Sequence, residues 1–96
     1  MDPLCQRRPV HHPQAISRLI KDETLILKLD TGRAGVLNGV GSRVWELMDG
    51  RRSLGEIVEA VGHAYDVDRQ RVEEDTISFV RALLERDMLA WAEGEN

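Results

Sequence analysis

The sequence predicts an α+β domain of winged helix-turn-helix-like type, a three-stranded antiparallel sheet followed by three helices. Two observations carry this. Apolar residues between Ala15 and Asn38 alternate with period two in short runs separated by turn residues. After Asn38 the apolar period changes to 3.6, and cap residues divide the rest of the chain into three helical stretches.

Met1 to Pro13 holds all 3 prolines, two arginines and a His pair with little periodicity, which reads as a flexible arm over residues 1–13 whose end can join the first strand. The folded domain is expected over 14–91, and 92–96 reads as a frayed tail. Ala15-Ile16-Ser17-Arg18-Leu19-Ile20 is rich in β-formers, and Lys21-Asp22-Glu23 fits a tight turn. Thr24-Leu25-Ile26-Leu27-Lys28-Leu29 is the stronger strand, with Leu25, Leu27 and Leu29 on one face. Asp30-Thr31-Gly32-Arg33 supplies a second turn, with Gly32 free to take a positive φ. Ala34-Gly35-Val36-Leu37-Asn38 is a short third strand, and the three form a meander.

Val40, Val44, Leu47 and Met48 then share a helical face, and Asp49-Gly50 ends that helix. Ser53-Leu54-Gly55-Glu56 fits a capping box, opening a helix whose stripe is Leu54, Ile57, Val58 and Val61 and which ends near Tyr65-Asp66. Asp68 is an N-cap for the third and longest helix, striped by Val72, Thr76, Phe79, Val80, Leu83 and Leu84. Met88-Leu89-Ala90-Trp91 is a short apolar finish.

A chain of 96 residues is one domain, and its 42% apolar and 31% charged composition is that of a soluble globular protein. A net charge of −4 argues against a general binder of nucleic acid or anionic membrane, since both require excess Lys and Arg. No apolar run is long enough to span a bilayer, and Gln6-Arg7-Arg8-Pro9 interrupts any secretory h-region, so a cytoplasmic location is expected. A single cysteine cannot form an internal disulfide, and a chain this short seldom encloses a complete active site.

Val36-Leu37-Asn38 followed by Gly41, then Val44-Trp45-Glu46-Leu47-Met48-Asp49-Gly50, resembles the "LN…G…(I/V)W-x-L-x-D-G" segment of the PqqD-like family. The resemblance continues through Ser53-Leu54-Gly55-Glu56-Ile57-Val58, Tyr65 and Val72-Glu73-Glu74-Asp75 to Phe79-Val80, Leu83-Leu84 and Met88-Leu89. It implies a non-catalytic recognition element for ribosomally made, modified peptides. In such a protein the leader of a precursor adds as a further strand beside the third strand, in a groove against the third helix. The implied partners are that leader and a maturation enzyme: a radical enzyme in quinone-cofactor synthesis, or a separate leader peptidase in lasso-peptide systems. A Pro-Glu-Arg-like segment between strand and helix is missing here. Leu37-Asn38-Gly39-Val40-Gly41 stands in its place and looks more like the stand-alone lasso-type members, so the leader peptidase is the favoured partner.

The residues support peptide capture on their own terms. A three-stranded meander leaves two edges with unpaired N–H and C=O groups. The third strand has no proline or inward lysine to block pairing, so an extended peptide can bond there while side chains on the helix select it. The candidate binding residues are Arg33, Ala34, Gly35, Val36, Leu37 and Asn38 on the strand and Val72, Asp75, Thr76, Phe79 and Leu83 on the helix. On that helix Phe79 fits core closure as well as groove lining, Glu73 and Glu74 read as a solvated face, and Asp75 lies nearer the groove. A tail or a second copy can also cover such an edge, which leaves a homodimer through paired strands as a structural alternative.

The winged-helix rival is a DNA-binding regulator. Its recognition helix would carry Arg69, Arg71, Arg81 and Arg86 against Glu73, Glu74, Asp75, Glu85 and Asp87, an acidic balance that repels phosphates. Cys5, His11 and His12 lack ligand spacing, with His63 far off, so no metal is expected. Gly39-Val40-Gly41-Ser42 is too short for a phosphate loop and has no Lys, so no cofactor is expected. Trp45 reads as a core plug, and Trp91 as a cover for the open side of the sheet.

Overall fold

The computed structural model describes residues 3–92. A 3-10 turn, Pro3–Gln6, leads into β1 (Pro9–His11), followed by β2 (Ala15–Ile20), β3 (Glu23–Lys28) and β4 (Ala34–Leu37). Helices α1 (Gly39–Leu47), α2 (Leu54–Tyr65) and α3 (Arg69–Glu85) come next, and β5 (Leu89–Trp91) ends the described chain. Strands β2, β3 and β4 form the expected antiparallel meander in that order, and the three helices follow it.

Each helix starts where a side chain can satisfy a free amide. Asn38 accepts from the Gly41 amide at 3.3 Å, and Asp68 accepts from Arg71 at 3.4 Å. At α2 both bonds of the capping box are present: Ser53 N–H to Glu56 at 2.7 Å and Glu56 N–H to Ser53 at 3.1 Å. The α2 stripe Leu54, Ile57, Val58 and Val61 is buried entire. It packs with Trp45 and Met48 of the α1 side, Val80 and Leu83 of α3, Met88 and Leu89, and Ile26 of the sheet.

The first 13 residues are where expectation and structure part. Pro3 to Pro13 is not a loose arm but a clasp that closes the far side of the core. Cys5 is buried, and its carbonyl lies so close to Gly55 that a Cβ there would stand 3.2 Å away. β1 pairs with β5 antiparallel, Pro9 opposite Trp91 and His11 opposite Leu89. Backbone bonds from Leu54 to Arg7 (2.8 Å), Gly50 to Pro9 (2.9 Å) and Ala92 to Arg8 (2.8 Å) join the segment to the α1–α2 connection and the chain end. His11 stacks on Trp45 with centroids 3.7 Å apart, and its Nε2 donates to the Trp45 carbonyl at 2.7 Å. A short irregular segment read alone lacks periodicity, but its proline rings and His11 find fixed partners contributed by distant residues. Trp91, expected over the sheet, lies in β5 instead, with the Arg7 guanidinium 4.5 Å above its ring. Residues 93–96 of the expected tail lie outside the described residues.

A second departure concerns β3. Thr24, Ile26 and Lys28 face the core, whereas Leu25 and Leu27 point outward and are 43% and 40% exposed. The polar pair on the inner face is fully engaged. Thr24 donates to Ser42 at 2.8 Å, and Ser42 donates to the Leu37 carbonyl at 3.1 Å, which ties β3, β4 and α1 together. The Lys28 side chain is covered along its length, and its ammonium emerges between Asp87 at 2.8 Å and Asp30 at 3.2 Å, both of which are exposed.

The hydrogen bond from Lys28, followed by the charge of the same ammonium, holds the Asp87 carboxyl below its ordinary 3.8, against a smaller burial effect. The same hydrogen bond raises Lys28 above its ordinary 10.5, with burial opposing. The stabilisation from Asp87 is therefore complete above its ordinary value and is lost as pH falls through the depressed one. That from Lys28 is complete below 10.5 and lost as pH rises through its raised value. Asp87→Asn removes the charge and keeps a residue suited to the positive φ of 62° at this position. Thermal melts should show the variant less stable than wild type at neutral pH, with the gap closing as pH drops below the carboxylate range.

Candidate functional site

β4 is an edge strand, and its hydrogen-bond register defines which groups are free. Lys28 N–H donates to the Arg33 carbonyl, so Lys28 and Arg33 form a hydrogen-bonded pair. By antiparallel alternation the next such pairs are Ile26 with Gly35 and Thr24 with Leu37. Ala34 and Val36 therefore turn their N–H and C=O groups away from β3, toward the open side. No strand pairs there among the described residues. An extended chain laid alongside can bond Ala34 and Val36 without disturbing the sheet.

Beside this edge α3 stands off from β4 and leaves a groove of about 380 Å³. Its lining combines Val36, Leu37 and Asn38 of the strand, Val40, Gly41 and Val44 of α1, and Asp75, Thr76 and Phe79 of α3. The walls are mainly apolar. Gly41 lets the Phe79 ring come close to the start of α1, since a Cβ there would sit 3.6 Å from the ring tip. Six of the eleven candidate residues meet in this groove: Val36, Leu37, Asn38, Asp75, Thr76 and Phe79. Arg33 and Ala34 line a second recess of about 300 Å³ with Arg86, farther along the strand. Gly35 lies between the two, and a Cβ on it would be 3.8 Å from the Arg86 guanidinium and 3.7 Å from Met88.

Val72 and Leu83 are not brought to the groove surface; both are buried in the core, and neither lines a cavity at the edge. The reason is helical phase: α3 turns their stripe toward α2, and only the flank at Asp75, Thr76 and Phe79 faces β4. Sequence reasoning missed the α1 contribution and Arg86. Val40 was expected in the core stripe of α1 but is 48% exposed at the groove mouth. The signal available was Asn38, since a strand that becomes a helix within one residue brings the first helical turn to the strand's end.

Charged residues differ between the two ends of the β4 edge. Asp75, in a loose ion pair with Arg71 at 3.8 Å, marks one end. Arg33 and Arg86 mark the other. The α3 cations at its N-terminal half are matched by acids, Arg69 with Glu59 at 2.8 Å and Glu73 at 3.8 Å. This leaves little free positive charge for a phosphate backbone.

A larger cleft of about 680 Å³ lies between the β2–β3 hairpin end, α1 and Tyr65, lined in part by His11, Ser17, Trp45 and Glu46. Its polar groups are largely satisfied internally. Trp45 Nε1 donates to Ser17 at 3.0 Å, His11 donates to Trp45, and Arg43 pairs with Glu46 at 2.7 Å. Size alone does not make it the better site. Among the described residues no three His, Cys, Asp or Glu side chains are grouped to hold a metal ion, and no helix is long and apolar enough to cross a membrane.

β4 thus presents an open strand edge beside an apolar groove. Residues 23–89 match the family model described as PqqD: Coenzyme PQQ synthesis protein D (PqqD), and the chain belongs to that family. A curated relative, the "PqqA binding protein" of Gluconobacter oxydans (strain 621H), is 28% identical over 57 residues. The match covers 59% of each chain, so this chain spans about three-fifths of that relative's length. Among solved structures, "TbiB1 in Complex with the TbiA(beta) Leader Peptide" superposes with a TM-score of 0.80 at 38% identity, covering 91% of this chain and 98% of that one. "Lasso peptide synthetase B1 complexed with the leader peptide" has the same fold, with a TM-score of 0.78 at 18% identity over 86% and 98% of the two chains.

The register predicts an alternating pattern of amide exchange in the free protein. Gly35 and Leu37, bonded to β3, should exchange slowly in NMR hydrogen-exchange measurements, and Ala34 and Val36 quickly. Equal protection at all four would mean that something already occupies the edge.

Proposed function

We propose that this protein captures the leader segment of a ribosomally made precursor peptide and presents it to a maturation enzyme. The free edge of β4 next to the apolar groove is the observation that carries the proposal. The leader-bound state named for TbiB1, 38% identical over nearly its whole length, supports it. The leader adds as a strand on Ala34 and Val36, and its side chains on the groove side pack on Val40, Val44 and Phe79. Main-chain bonds supply affinity, and the groove supplies selection. The role is binding rather than chemistry.

Delivery works by effective concentration: a captured leader keeps the modifiable part of the precursor near the partner's active site. We favour a leader peptidase of the lasso-peptide type as that partner, because the same fold, bound to a leader, serves in a lasso peptide synthetase B1. A radical enzyme, by analogy with quinone-cofactor synthesis, is the next choice.

Val36→Pro tests the mode of capture. The ring removes an outward N–H that β3 does not use, so the sheet should survive with little change in melting temperature. Affinity for a synthetic precursor leader peptide that the wild type binds should fall at least about tenfold by calorimetry, the scale of losing one or two main-chain bonds. In the wild type that peptide should shift the amides of Arg33 to Asn38 and of Val72 to Leu83. Unchanged affinity in the variant, or shifts confined to Pro3 to Pro13, would sink strand addition at β4.

A further inference from the structure

The space beside β4 does not end at Phe79. Close to two full helical turns separate Phe79 from Arg86, the C-cap of α3, so both stand on the flank facing β4, about 10 Å apart along the axis. On the strand, Arg33, Gly35 and Leu37 share the inner face. Strand and helix end meet at Gly35, where a Cβ would lie 3.8 Å from the Arg86 guanidinium. Without one, that guanidinium stays open beside the strand edge. Arg33 and Ala34 close the other side of the recess, which measures about 300 Å³.

The charges in this recess are unbalanced. Arg33 and Arg86 are exposed, and among the described residues neither side chain makes an ion pair or hydrogen bond. The acids at this end of the sheet are Asp30 and Asp87, and Lys28 engages both. His12 approaches Asp87 as well, at 3.9 Å. The Arg33 charge helps to hold Asp87 below its ordinary range, but it acts after Lys28 and His12. Lys28, Arg33 and Arg86 therefore face two carboxylates, which leaves one cation in excess. Solvated arginines are ordinary on a surface. This pair differs in position, since both line one recess at the end of an open strand edge.

We propose that the Arg33–Arg86 recess is a carboxylate subsite, selecting leaders with an Asp or Glu two or four residues from the apolar residue seated against Phe79. The inference rests on the leader-capture reading. In an added strand, groove-side residues lie opposite Arg33, Gly35 and Leu37 and recur at every second position. The residue opposite Leu37 meets Phe79, and those opposite Gly35 and Arg33 meet the two guanidinium groups. A carboxylate there accepts N–H bonds from a planar fork suited to it. A basic leader residue at the same place adds another unpaired cation and is rejected. The recess also fixes register, because a slip of the leader carries the acid away from the arginines.

The test uses the whole chain and a synthetic precursor leader peptide that the wild type binds. Each Asp and Glu of the peptide is exchanged in turn for Asn or Gln and the product titrated by calorimetry. One exchange should weaken binding roughly three- to tenfold, the scale of a solvent-exposed but charge-assisted contact. Arg33→Gln and Arg86→Gln should keep the wild-type melting temperature and each weaken the parent peptide over the same range. Neither should weaken the peptide that already lacks the critical acid, since the two groups act as one contact. Arg86→Glu should regain affinity for a peptide with Lys at that position, which the wild type binds poorly. The subsite is overturned if no acid exchange matters, if every exchange matters alike, or if both Gln variants bind the parent peptide as wild type does. Amide shifts from Ala34 to Leu37 report capture separately. If they appear while the arginine variants bind normally, capture stands and the subsite falls; if they are absent, both fall.

Discussion

Much of the molecule depends on the abrupt change from strand to helix at Asn38. Its side chain caps α1 through the Gly41 amide, and its backbone carbonyl accepts from Ser42 at 2.6 Å. The Ser42 hydroxyl in turn bridges Thr24 and the Leu37 carbonyl. Because β4 has no loop in which to relax, it is anchored on one side by β3 and at its end by α1. Its other side stays open, since the chain leaves for the helical layer instead of supplying a fourth strand. The free edge at Ala34 and Val36 is thus a consequence of how the strand ends. Thr24 and Ser42 are buried polar groups, and each has a hydrogen-bonding partner, which is the condition for keeping such groups in a small core.

The clasp made by Pro3 to His11 secures the helical layer against which the groove is built. Strand β1 pairs with β5 immediately after α3, and His11 stacks on Trp45 of α1. Both helices that wall the groove are therefore tied to one segment at the opposite side of the core. Met88 and Asp87, in the turn between α3 and β5, reach the sheet as well: Met88 lies under Gly35, and Asp87 pairs with Lys28. The Asn38–Ser42 connection thus ties β4 to α1, and the Asp87–Lys28 bridge ties the end of α3 to β3. Under the leader-capture proposal, a groove held in this way needs little ordering on binding, which lowers the cost of capture.

Most of the architecture was legible in the chain because its signals are local. Period-two runs, the Ser53–Glu56 box and the Asp68 cap each act within a few residues, and all three helices and the meander appear where those signals stand. Asn38, Asp75, Thr76 and Phe79 were reachable for the same reason, as positions on elements of known phase. What was not legible depends on partners far apart in sequence. Pro9 and His11 become a strand only because Leu89 and Trp91 lie alongside, and Arg86 joins the edge only because Met88 turns the chain back under Gly35. Val72 and Leu83 carried the right periodicity, but periodicity locates a face and not what that face meets.

The strand β3 shows how the same rule can point the wrong way. Leu25, Leu27 and Leu29 alternate as a buried face should, and burying leucine is worth more than burying threonine or lysine. The inner face nevertheless holds Thr24, Ile26 and Lys28, with the polar ends of the first and last paired. A chain free to place its most apolar face inward would gain by shifting the register of β3 by one residue. The Thr24–Ser42 bond and the Lys28–Asp87 pair oppose that shift, since both would be lost and the Ser42 hydroxyl would face a leucine in the core. The leucines therefore stay on the outer face, 43% exposed at Leu25 and 40% at Leu27. The inner face of β3 is thus set by its polar partners: period-two alternation marks two faces of a strand, and the long-range bonds of Thr24 and Lys28 decide which one is buried.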